Sequence, residues 1–502
     1  MNAPLRRVGV VVLVLFGLLF ANLNWVQAYK ADEYRTSPYN RRVILDEYKR
    51  ERGIIMLAGG QKLAVSTATE DELKYLRTYP LNEKYAHVLG YKPVNIGSTG
   101  LEYSENDFLA GTSDKLFGDR FRDLFTGEQT AGGNVLLTIS PTAQDFAFKE
   151  LAENRVGAKR GAVVALDPES GAVKAMVSMP SFDPNALTSH NTGAAQKAYN
   201  DLLANPDKPL NNRALGEIYL PGSVMKVVVS AAALESGANV NTVLDGGATF
   251  QAPGTTHVIN NAPGVNCPET ISLQQALTVS CNTAFAKLGS DLGAKKLTET
   301  ATRFGFYQKG LTVGRLSGKD NEAGQKVAEG VLGELTTSSG GDDKPTLAQS
   351  AIGQQNVKIS PLQGAMMAAA VANNGKQMRP YVVQQLLAAD TTSLDVANPK
   401  LLQQSCDPAV AAQLQQMMMG VVQSGTGRQA RIDGYQVGGK TGTAETGEDD
   451  SHGWFVGFAL KDGRPVAAVA VFLENAGKGG SAEAARIAGQ VMRGVIADRQ
   501  GK

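Results

Sequence analysis

The chain has 502 residues, of which 43% are hydrophobic and 19% are charged, so it can bury the cores of two or three globular domains. Its formal net charge of +1 argues against a nucleic-acid partner held by bulk charge. The four histidines lie far apart in the sequence and no phosphate-binding P-loop motif occurs, so we expect neither a metal site nor a cofactor.

The N-terminus carries a segment long enough to cross a membrane. Two arginines, at positions 6 and 7, precede an apolar run over 8–28, which as a helix would span about 30 Å, the thickness of a bilayer core. Basic residues before the run predict a cytoplasmic N-terminus, with the rest of the chain outside the membrane. A cleaved signal peptide is the alternative, because Val26-Gln27-Ala28 resembles a small-residue cleavage site.

The segment from 30 to 133 is predicted to be a separate, non-catalytic domain. Two strand-like pieces at 54–57 and 62–66 flank a Gly-Gly turn, which predicts a hairpin. Short helices are predicted around 70–79 and 104–109. Because nothing in this segment suggests catalysis, we expect a spacer or an interaction domain.

Residues 134–502 are predicted to form the second domain, which begins after the Gly-rich stretch at 127–133. Strands at 161–167 and 172–178, joined by Pro-Glu-Ser-Gly, predict a hairpin. A long and mainly helical insert follows. Three more strands and a closing helix are then predicted, at 435–445, 453–458, 465–472 and 482–497. This order predicts one sheet with helices packed on it.

A serine at the start of a helix is the first candidate for chemistry. Pro221 and Gly222 mark a loop, Ser223 lies at or near the helix start, and Lys226 follows on the same helix face. This places an amine beside a hydroxyl, as activation of a nucleophile requires. The spacing alone is a weak signal, because Ser is a common N-cap and Ser-x-x-Lys occurs by chance in most chains of this size.

Two further motifs follow in order and give this serine its context. They are Ser280-x-Asn282 and Lys440-Thr441-Gly442. With Ser-x-x-Lys they form the set found in β-lactamases and penicillin-binding proteins, where the middle motif commonly reads Ser-Asp-Asn. Here the middle residue is Cys281, whose side chain is not expected to face the site. The chain resembles the class B penicillin-binding proteins, and within them the actinobacterial penicillin-binding protein A type.

The resemblance extends over essentially the whole chain after the apolar segment. Its other shared pieces are Gly100-Leu101-Glu102, residues 180–185, Asn212-Arg213-Ala214, Ile352-Gly353-Gln354, Ser424-Gly425-Thr426-Gly427 and Thr443-Ala444-Glu445. It implies an α/β (α+β) penicillin-binding transpeptidase or serine β-lactamase-like fold, with a five-stranded antiparallel sheet packed between helices. It also implies an uncleaved membrane anchor at 1–29, a smaller mixed domain at 30–133 and a transpeptidase domain at 134–502.

The residue types of the three motifs suit acyl transfer to a serine. Ser223 is expected to attack after Lys226 takes its proton, which requires a neutral amine. Lowering a lysine pKa from about 10.4 to near 7 means roughly 4–5 kcal/mol of bias against the charged form. Burial and a second cation, Lys440, would supply that bias. Ser280 is expected to relay a proton to the leaving group, and Asn282 to hold Lys226 and a substrate amide.

Substrate binding is assigned to the last motif and its neighbour. Lys440, Thr441 and Thr443, with Gly442 between the threonines, are expected to bind the terminal carboxylate of the substrate. The backbone N–H groups of Ser223 and Thr443 are expected to form the oxyanion hole, in which one donor is typically worth about 3–4 kcal/mol of transition-state stabilisation.

The resemblance implies a peptidoglycan D,D-transpeptidase. Ser223 would attack the D-Ala-D-Ala end of a stem peptide, release D-alanine and pass the acyl group to an amine of a neighbouring strand. Penicillins and other β-lactams would acylate the same serine. The implied partner is a membrane-embedded glycosyltransferase of the shape, elongation, division and sporulation (SEDS) class, because residues 30–133 are too few for a glycosyltransferase domain.

Four alternatives share the same motifs. A β-lactamase would need a base that activates a deacylating water, and no such carboxylate can be assigned. A β-lactam sensor, in which acylation only signals, would carry several membrane-spanning helices, whereas one is predicted here. A bifunctional class A enzyme would need a glycosyltransferase domain, for which the residues before Gly133 are too few. A low-activity scaffold with the same penicillin-binding site is the fourth.

Two cysteines lie close to the middle motif. Cys267 and Cys281 are expected outside the membrane, where disulfides persist, and we hypothesise a bridge that pins the loop carrying Ser280 and Asn282. Two buried thiols are the alternative. Cys406 is expected to be unpaired.

Overall fold

The computed structural model describes residues 3–35, 47–118, 125, 130–316, 324–445, 447 and 450–501. Part of the predicted boundary stretch, at 127–129, lies outside these residues.

The strands are β1 (Ile55–Leu57), β2 (Lys62–Ala68), β3 (Tyr75–Thr78), β4 (Asn134–Leu137), β5 (Arg160–Leu166), β6 (Val173–Met179), β7 (Val243–Asp245), β8 (Thr249–Gln251), β9 (Val258–Asn260), β10 (Thr270–Ser272), β11 (Thr312–Gly314), β12 (Gly324–Lys326), β13 (Lys376–Met378), β14 (Val383–Leu387), β15 (Ser393–Val396), β16 (Leu401–Gln404), β17 (Gln436–Ala444), β18 (His452–Lys461) and β19 (Arg464–Glu474).

The α-helices are α1 (Ala3–Asn24), α2 (Ala31–Arg35), α3 (Ala86–Leu89), α4 (Gly100–Ser104), α5 (Asn106–Leu109), α6 (Pro141–Ala152), α7 (Asn185–Thr188), α8 (Thr192–Ala204), α9 (Lys226–Glu235), α10 (Leu273–Val279), α11 (Asn282–Arg303), α12 (Lys344–Ala351), α13 (Pro361–Ala372), α14 (Pro408–Gln423) and α15 (Gly480–Arg499).

A five-stranded sheet forms the centre of the larger unit. Its order is β17-β18-β19-β5-β6 with all neighbours antiparallel, which confirms the predicted sheet. Alternate residues of each strand face opposite sides. On β18, Trp454 and Val456 belong to one core, whereas Phe455 and Ala459 belong to the other. Helices α9 and α13 contribute to the first core and α6 and α15 to the second, so the sheet is packed between helices.

Helix α13 is buried along its whole length, as its apolar sequence on all sides requires. It begins with a serine N-cap: the side chain of Ser360 accepts a hydrogen bond from the backbone N–H of Gln363, and Pro361 occupies the first helical turn. Helix α6 on the opposite side of the sheet begins in the same way, with Ser140 followed by Pro141.

A second, six-stranded sheet has the order β15-β14-β4-β1-β2-β3. Strands β1 and β2 pair antiparallel, which confirms the predicted hairpin. Strand β4 pairs parallel to β1 and antiparallel to β14, so the sheet joins strands from both sides of position 133. The division of the chain at 133 therefore stays a prediction from the sequence, and the six-stranded sheet contains strands from both predicted domains.

The helix predicted around 70–79 is wrong. Residues 75–78 form β3, which pairs antiparallel with β2. Arg77 decides this local structure, because its side chain is 2% exposed and its guanidinium donates to Glu102 and to the carbonyl of Gly53. These distant partners are invisible in the local sequence.

The apolar N-terminal segment is helical over α1 and continues as a π-helical turn, Trp25–Tyr29. The span Arg6–Tyr29, 24 residues, is long and apolar enough to cross a membrane, and none of it is buried against the rest of the chain. One helix of this kind fits a single-pass membrane protein.

Candidate active site

The three motifs meet at one edge of the five-stranded sheet. Lys440-Thr441-Gly442 lies on β17, an edge strand, and Ser223 lies in the 3-10 turn Gly222–Met225 that leads into α9. Gly222 has a φ of 53°, and a Cβ at this position would lie 2.2 Å from the carbonyl oxygen of Thr443. Only glycine therefore lets the turn that carries Ser223 approach the strand so closely.

Lys226 is fully buried at the start of α9, and its amine contacts the middle motif. Its Nζ lies 2.8 Å from the carbonyl oxygen of Ser280, 3.2 Å from Ser280 Oγ and 2.7 Å from Asn282 Oδ1. The amine is thus held between Ser280 and Asn282.

Lys440 is also fully buried and approaches the same serine from the strand. Its Nζ donates to Ser280 Oγ at 2.9 Å and to the carbonyl oxygen of Thr441 at 2.8 Å. The hydroxyl of Ser280 therefore links the two lysines.

Ser280 reaches both lysines because of the shape of its backbone. It ends α10 with φ 63° and ψ 42°, a left-handed conformation that is uncommon for a residue other than glycine. The next helix, α11, begins two residues later at Asn282. The middle motif is thus a tight junction between two helices, which turns the carbonyl and the hydroxyl of Ser280 toward Lys226.

Both lysines lie where the neutral amine is favoured. Burial lowers the pKa of Lys226 well below its usual value, and the positive charge of Lys440 lowers it further. Burial also lowers the pKa of Lys440 to about 7. Within the described ranges, every acceptor that these two amines contact is a neutral oxygen, so no carboxylate counteracts this effect.

The other predicted residues line the outer part of the site. Ser223 is partly exposed and Thr443 is exposed, whereas Thr441 is buried and shares a hydrogen bond between hydroxyls with Thr426. A Cβ at Gly442 would lie 2.5 Å from the carbonyl oxygen of Pro221, so this glycine also packs against the Ser223 turn. The structure brings together all the predicted site residues, Ser223, Lys226, Ser280, Asn282, Lys440, Thr441, Gly442 and Thr443.

Cys267 and Cys281 form a disulfide in the structure, with their Cα atoms 5.7 Å apart. Cys281 is the middle residue of the second motif and is buried, pointing away from the two lysines toward the 245–268 segment. Cys406 is an unpaired, buried cysteine.

Sequence reasoning assigned no role in the site to three residues that contact it, although Thr426 lies in one of the shared pieces. Thr426 contacts Thr441, and Asn260 and Asn261 contact Asn282. The Asn-Asn pair lies in a stretch rich in Gly, Pro and Asn, where asparagine ordinarily indicates a turn. No spacing rule links it to a motif that begins 19 residues later, at Ser280.

Comparison with known proteins places this site in a family. The family model described as penicillin binding protein transpeptidase domain matches residues 161–493, and that of the penicillin binding protein A dimerisation domain matches residues 52–135. The chain is 41% identical to peptidoglycan D,D-transpeptidase PbpA of Mycolicibacterium smegmatis, over 99% of both chains. It is 40% identical to PbpA of Mycobacterium tuberculosis, over 99% of this chain and 98% of the relative.

Solved structures agree with the sequence relatives. Penicillin-binding protein A from M. tuberculosis, as its ceftriaxone acyl-enzyme complex, matches with a TM-score of 0.83 and 38% identity, over 90% of this chain and 100% of that chain. The penicillin G acyl-enzyme complex of the same protein matches with a TM-score of 0.79 and 37% identity, over 90% and 100% of the two chains. The chain therefore belongs to the class B penicillin-binding proteins of the PbpA type.

Proposed function

We propose that this chain is a peptidoglycan D,D-transpeptidase that works through an acyl-enzyme on Ser223. The observation that carries the proposal is the buried pair of amines, Lys226 and Lys440, which the hydroxyl of Ser280 links directly behind the Ser223 turn. The relatives support this proposal, because the PbpA proteins of M. smegmatis and M. tuberculosis are named peptidoglycan D,D-transpeptidases.

Lys226 activates Ser223 by accepting its proton. A neutral amine has two N–H groups and one lone pair. The two shortest contacts of Nζ, to Ser280 O at 2.8 Å and Asn282 Oδ1 at 2.7 Å, use the two N–H groups. The lone pair is then left for the proton of Ser223, one helical turn away.

The same path returns the proton to the leaving group. Ser223 Oγ bonds to the penultimate D-alanine carbonyl carbon of the stem peptide, and the C–N bond to the terminal D-alanine breaks. The proton taken by Lys226 passes through the Ser280 hydroxyl to that nitrogen, so D-alanine leaves as an amine. Lys440 keeps the Ser280 oxygen oriented by donating to it at 2.9 Å.

The second half-reaction reverses these roles. An amine of a neighbouring strand attacks the ester, loses its proton to the same path and forms the new amide, and Ser223 regains its proton. The backbone N–H groups of Ser223 and Thr443 hold the oxyanion in both steps. Lys440, Thr441 and Thr443 attract the terminal carboxylate. A water in place of the amine gives a carboxypeptidase side reaction.

β-Lactams are expected to block this cycle. Attack by Ser223 opens the lactam C–N bond, but the nitrogen stays tethered to the acyl group, so the space for the acceptor amine is not vacated. Acyl-enzyme complexes of the M. tuberculosis relative with ceftriaxone and penicillin G support this reaction for the present chain.

The membrane topology belongs to the same proposal. Arg6 and Arg7, which lie in the first turns of α1 before the apolar run, favour a cytoplasmic N-terminus and a site outside the membrane, where peptidoglycan lies. Glycan polymerisation is then supplied by a partner, for which a SEDS-type glycosyltransferase is proposed. The segments 1–29, 30–133 and 134–502 act as anchor, interaction domain and transpeptidase domain.

Labelling with a fluorescent penicillin tests the proposal. The detergent-solubilised full chain should become covalently fluorescent, and Ser223→Ala should not. Release of D-alanine from a stem-peptide substrate, with formation of the cross-linked product, separates a transpeptidase from a β-lactam sensor or a scaffold. A folded wild-type chain that takes up no label would refute the assignment of Ser223.

A further inference from the structure

The start of helix α11 is capped from a distant segment. The N-cap residue of α11 is Cys281, whose side chain forms the disulfide with Cys267. Its sulfur accepts one hydrogen bond from the helix, from the N–H of Ala284 at 3.4 Å. The first two N–H groups of the helix, those of Asn282 and Thr283, need other acceptors.

Asn261 supplies that acceptor. Its Oδ1 accepts from the backbone N–H of Asn282 at 2.8 Å and from that of Thr283 at 3.2 Å. Its Nδ2 donates to the carbonyl oxygen of Gly247 at 2.9 Å. The side chain is therefore fixed at both ends, and it joins the 245–261 segment to the residue that contacts Lys226.

The neighbouring backbone sets the orientation of the Asn282 amide. The carbonyl oxygen of Asn260 accepts from Asn282 Nδ2 at 3.0 Å, so Asn282 Oδ1 faces Lys226 Nζ at 2.7 Å. The reverse orientation would set the amide oxygen against a carbonyl oxygen and an NH₂ group against the amine. Only one orientation satisfies both contacts.

We propose that Asn261 is a positioning residue of this active site, which holds Asn282, and through it Lys226, in the geometry that acylation requires. The inference rests on the proposed function and adds a residue outside the three motifs. Asn261 touches no reacting atom, so its contribution is one of geometry: it fixes the N-terminus of α11 and the strand end that orients the Asn282 amide.

Acylation kinetics across pH test this role. In Asn261→Ala, Asn282 loses its anchor, and misplacement of this kind costs up to about 10²-fold in rate. We expect the second-order rate constant with fluorescent penicillin to fall about 10- to 100-fold. The midpoint of its rise with pH should move upward, because water that reaches Lys226 weakens the effect of burial. Lys440 is the charged residue that faces Lys226 among the described residues, and it is unchanged in the variant.

Asn261→Asp is the conservative variant. It keeps the acceptor for both N–H groups and loses the donor to Gly247. It should recover most of the rate at high pH, while its added negative charge moves the midpoint upward. If Asn261→Ala does not fold, Asn261→Asp serves as the test instead. The proposal would then be overturned if the acylation rate of Asn261→Asp rose with pH at the same midpoint as that of wild type.

Asn154→Ala is the matched control. The side chain of Asn154 also fixes a loop by hydrogen bonds to backbone groups. It accepts from the N–H of Ala158 and donates to the carbonyls of Leu151 and Ala158. It should acylate as wild type does. Equal rate losses in the two alanine variants, or a rate within twofold of wild type in folded Asn261→Ala, would overturn the inference. A wild-type chain without Ser223-dependent labelling would instead overturn the proposed function, and the inference with it.

Discussion

In the part of the chain that the structure describes, two places bury a pair of cations, and they differ in the groups that accompany the pair. In the six-stranded sheet, Arg52 and Arg77 both donate through Nε to the fully buried Glu102, at 2.7 Å and 2.6 Å. In the site, Lys226 and Lys440 contact only neutral oxygens among the described residues, and they share one of these, Ser280 Oγ. The buried cations are thus bound to a carboxylate in one place, where one glutamate serves both guanidinium groups, and to no carboxylate in the other.

The difference separates a structural cluster from a chemical one. Burial alone would raise the pKa of Glu102, but Arg77 and Arg52 outweigh it and hold that pKa below its usual value, so the cluster stays ionised and fixed. With no carboxylate partner, the lysines shift toward the neutral form instead. Arginine keeps its proton in either setting, whereas a buried lysine becomes a candidate base where no carboxylate counters its charge.

The strongest test of this comparison removes the candidate base. Lys226→Ala should reduce the rate of acylation by fluorescent penicillin by about 10²- to 10⁴-fold, the usual contribution of general acid–base catalysis. Lys174→Ala is the control, because burial also lowers the pKa of Lys174, yet its amine contacts the carbonyl of Thr138, away from Ser223. Equal losses in the two variants would show that burial of a lysine, and not its place beside Ser223, explains the result.

Removal of the compensating carboxylate should act on stability. Glu102→Ala removes the carboxylate that both buried arginines, Arg52 and Arg77, bind, and breaking a buried pair in this way costs about 3–5 kcal/mol in the free energy of unfolding. Urea unfolding measures the loss. Glu51→Ala removes an exposed carboxylate from the same part of the chain and serves as the control. If both variants unfold at the same urea concentration, the buried cluster is not structural as argued.

The two clusters should also respond to pH in different windows. Lys440 has a folded pKa of about 7 against an ordinary value of 10.5, so between these values the unfolded chain binds a proton that the folded chain lacks. The free energy of unfolding therefore rises with pH across this window, by at most about 1.4 kcal/mol per pH unit for this group, and the full penalty is present below pH 7. Glu102 contributes stability above its ordinary pKa of 4.5 and loses it as the pH falls further.

Urea midpoints of wild type and Lys440→Met, compared from pH 6.5 to pH 10, measure the lysine contribution. The variant should show a smaller rise of its midpoint with pH. Equal slopes in the two proteins would mean that Lys440 keeps an ordinary pKa when folded, and the contrast with Glu102 would then be lost.

How far the sequence predicts these clusters depends on where their partners lie. Ser223, Lys226, Ser280 and Lys440 could be found because few residue types perform this chemistry, and the motifs recur in a fixed order. The five-stranded sheet could be predicted because its strands form hairpins of adjacent apolar segments, as in β18 and β19.

The structural cluster could not be found in the same way. Arg77 lies in a polar stretch that resembles a helix locally, and its partner Glu102 is 25 residues away. Asn261 and Asn282 are 21 positions apart, with β10 and α10 between them, and Asn261 lies in a stretch whose composition suits any turn. The six-stranded sheet combines β4 and β14, which are about 250 positions apart, so no local pattern marks the end of the first domain. Long-range pairing decided each of these outcomes.

The smallest expected loss of stability comes from breaking an ion pair that is exposed to solvent. Lys115 Nζ lies 2.8 Å from Asp395 Oδ2, and the side chains are 42% and 30% exposed. Water and salt screen such a pair, so Lys115→Ala should cost less than about 1 kcal/mol in the free energy of unfolding, and the cost should shrink as salt is added. Urea unfolding at low and high salt measures both quantities. A loss as large as that of Glu102→Ala would mean that charge neutralisation alone, independent of burial, fixes this part of the chain, and the comparison between the two buried clusters would need a different physical basis.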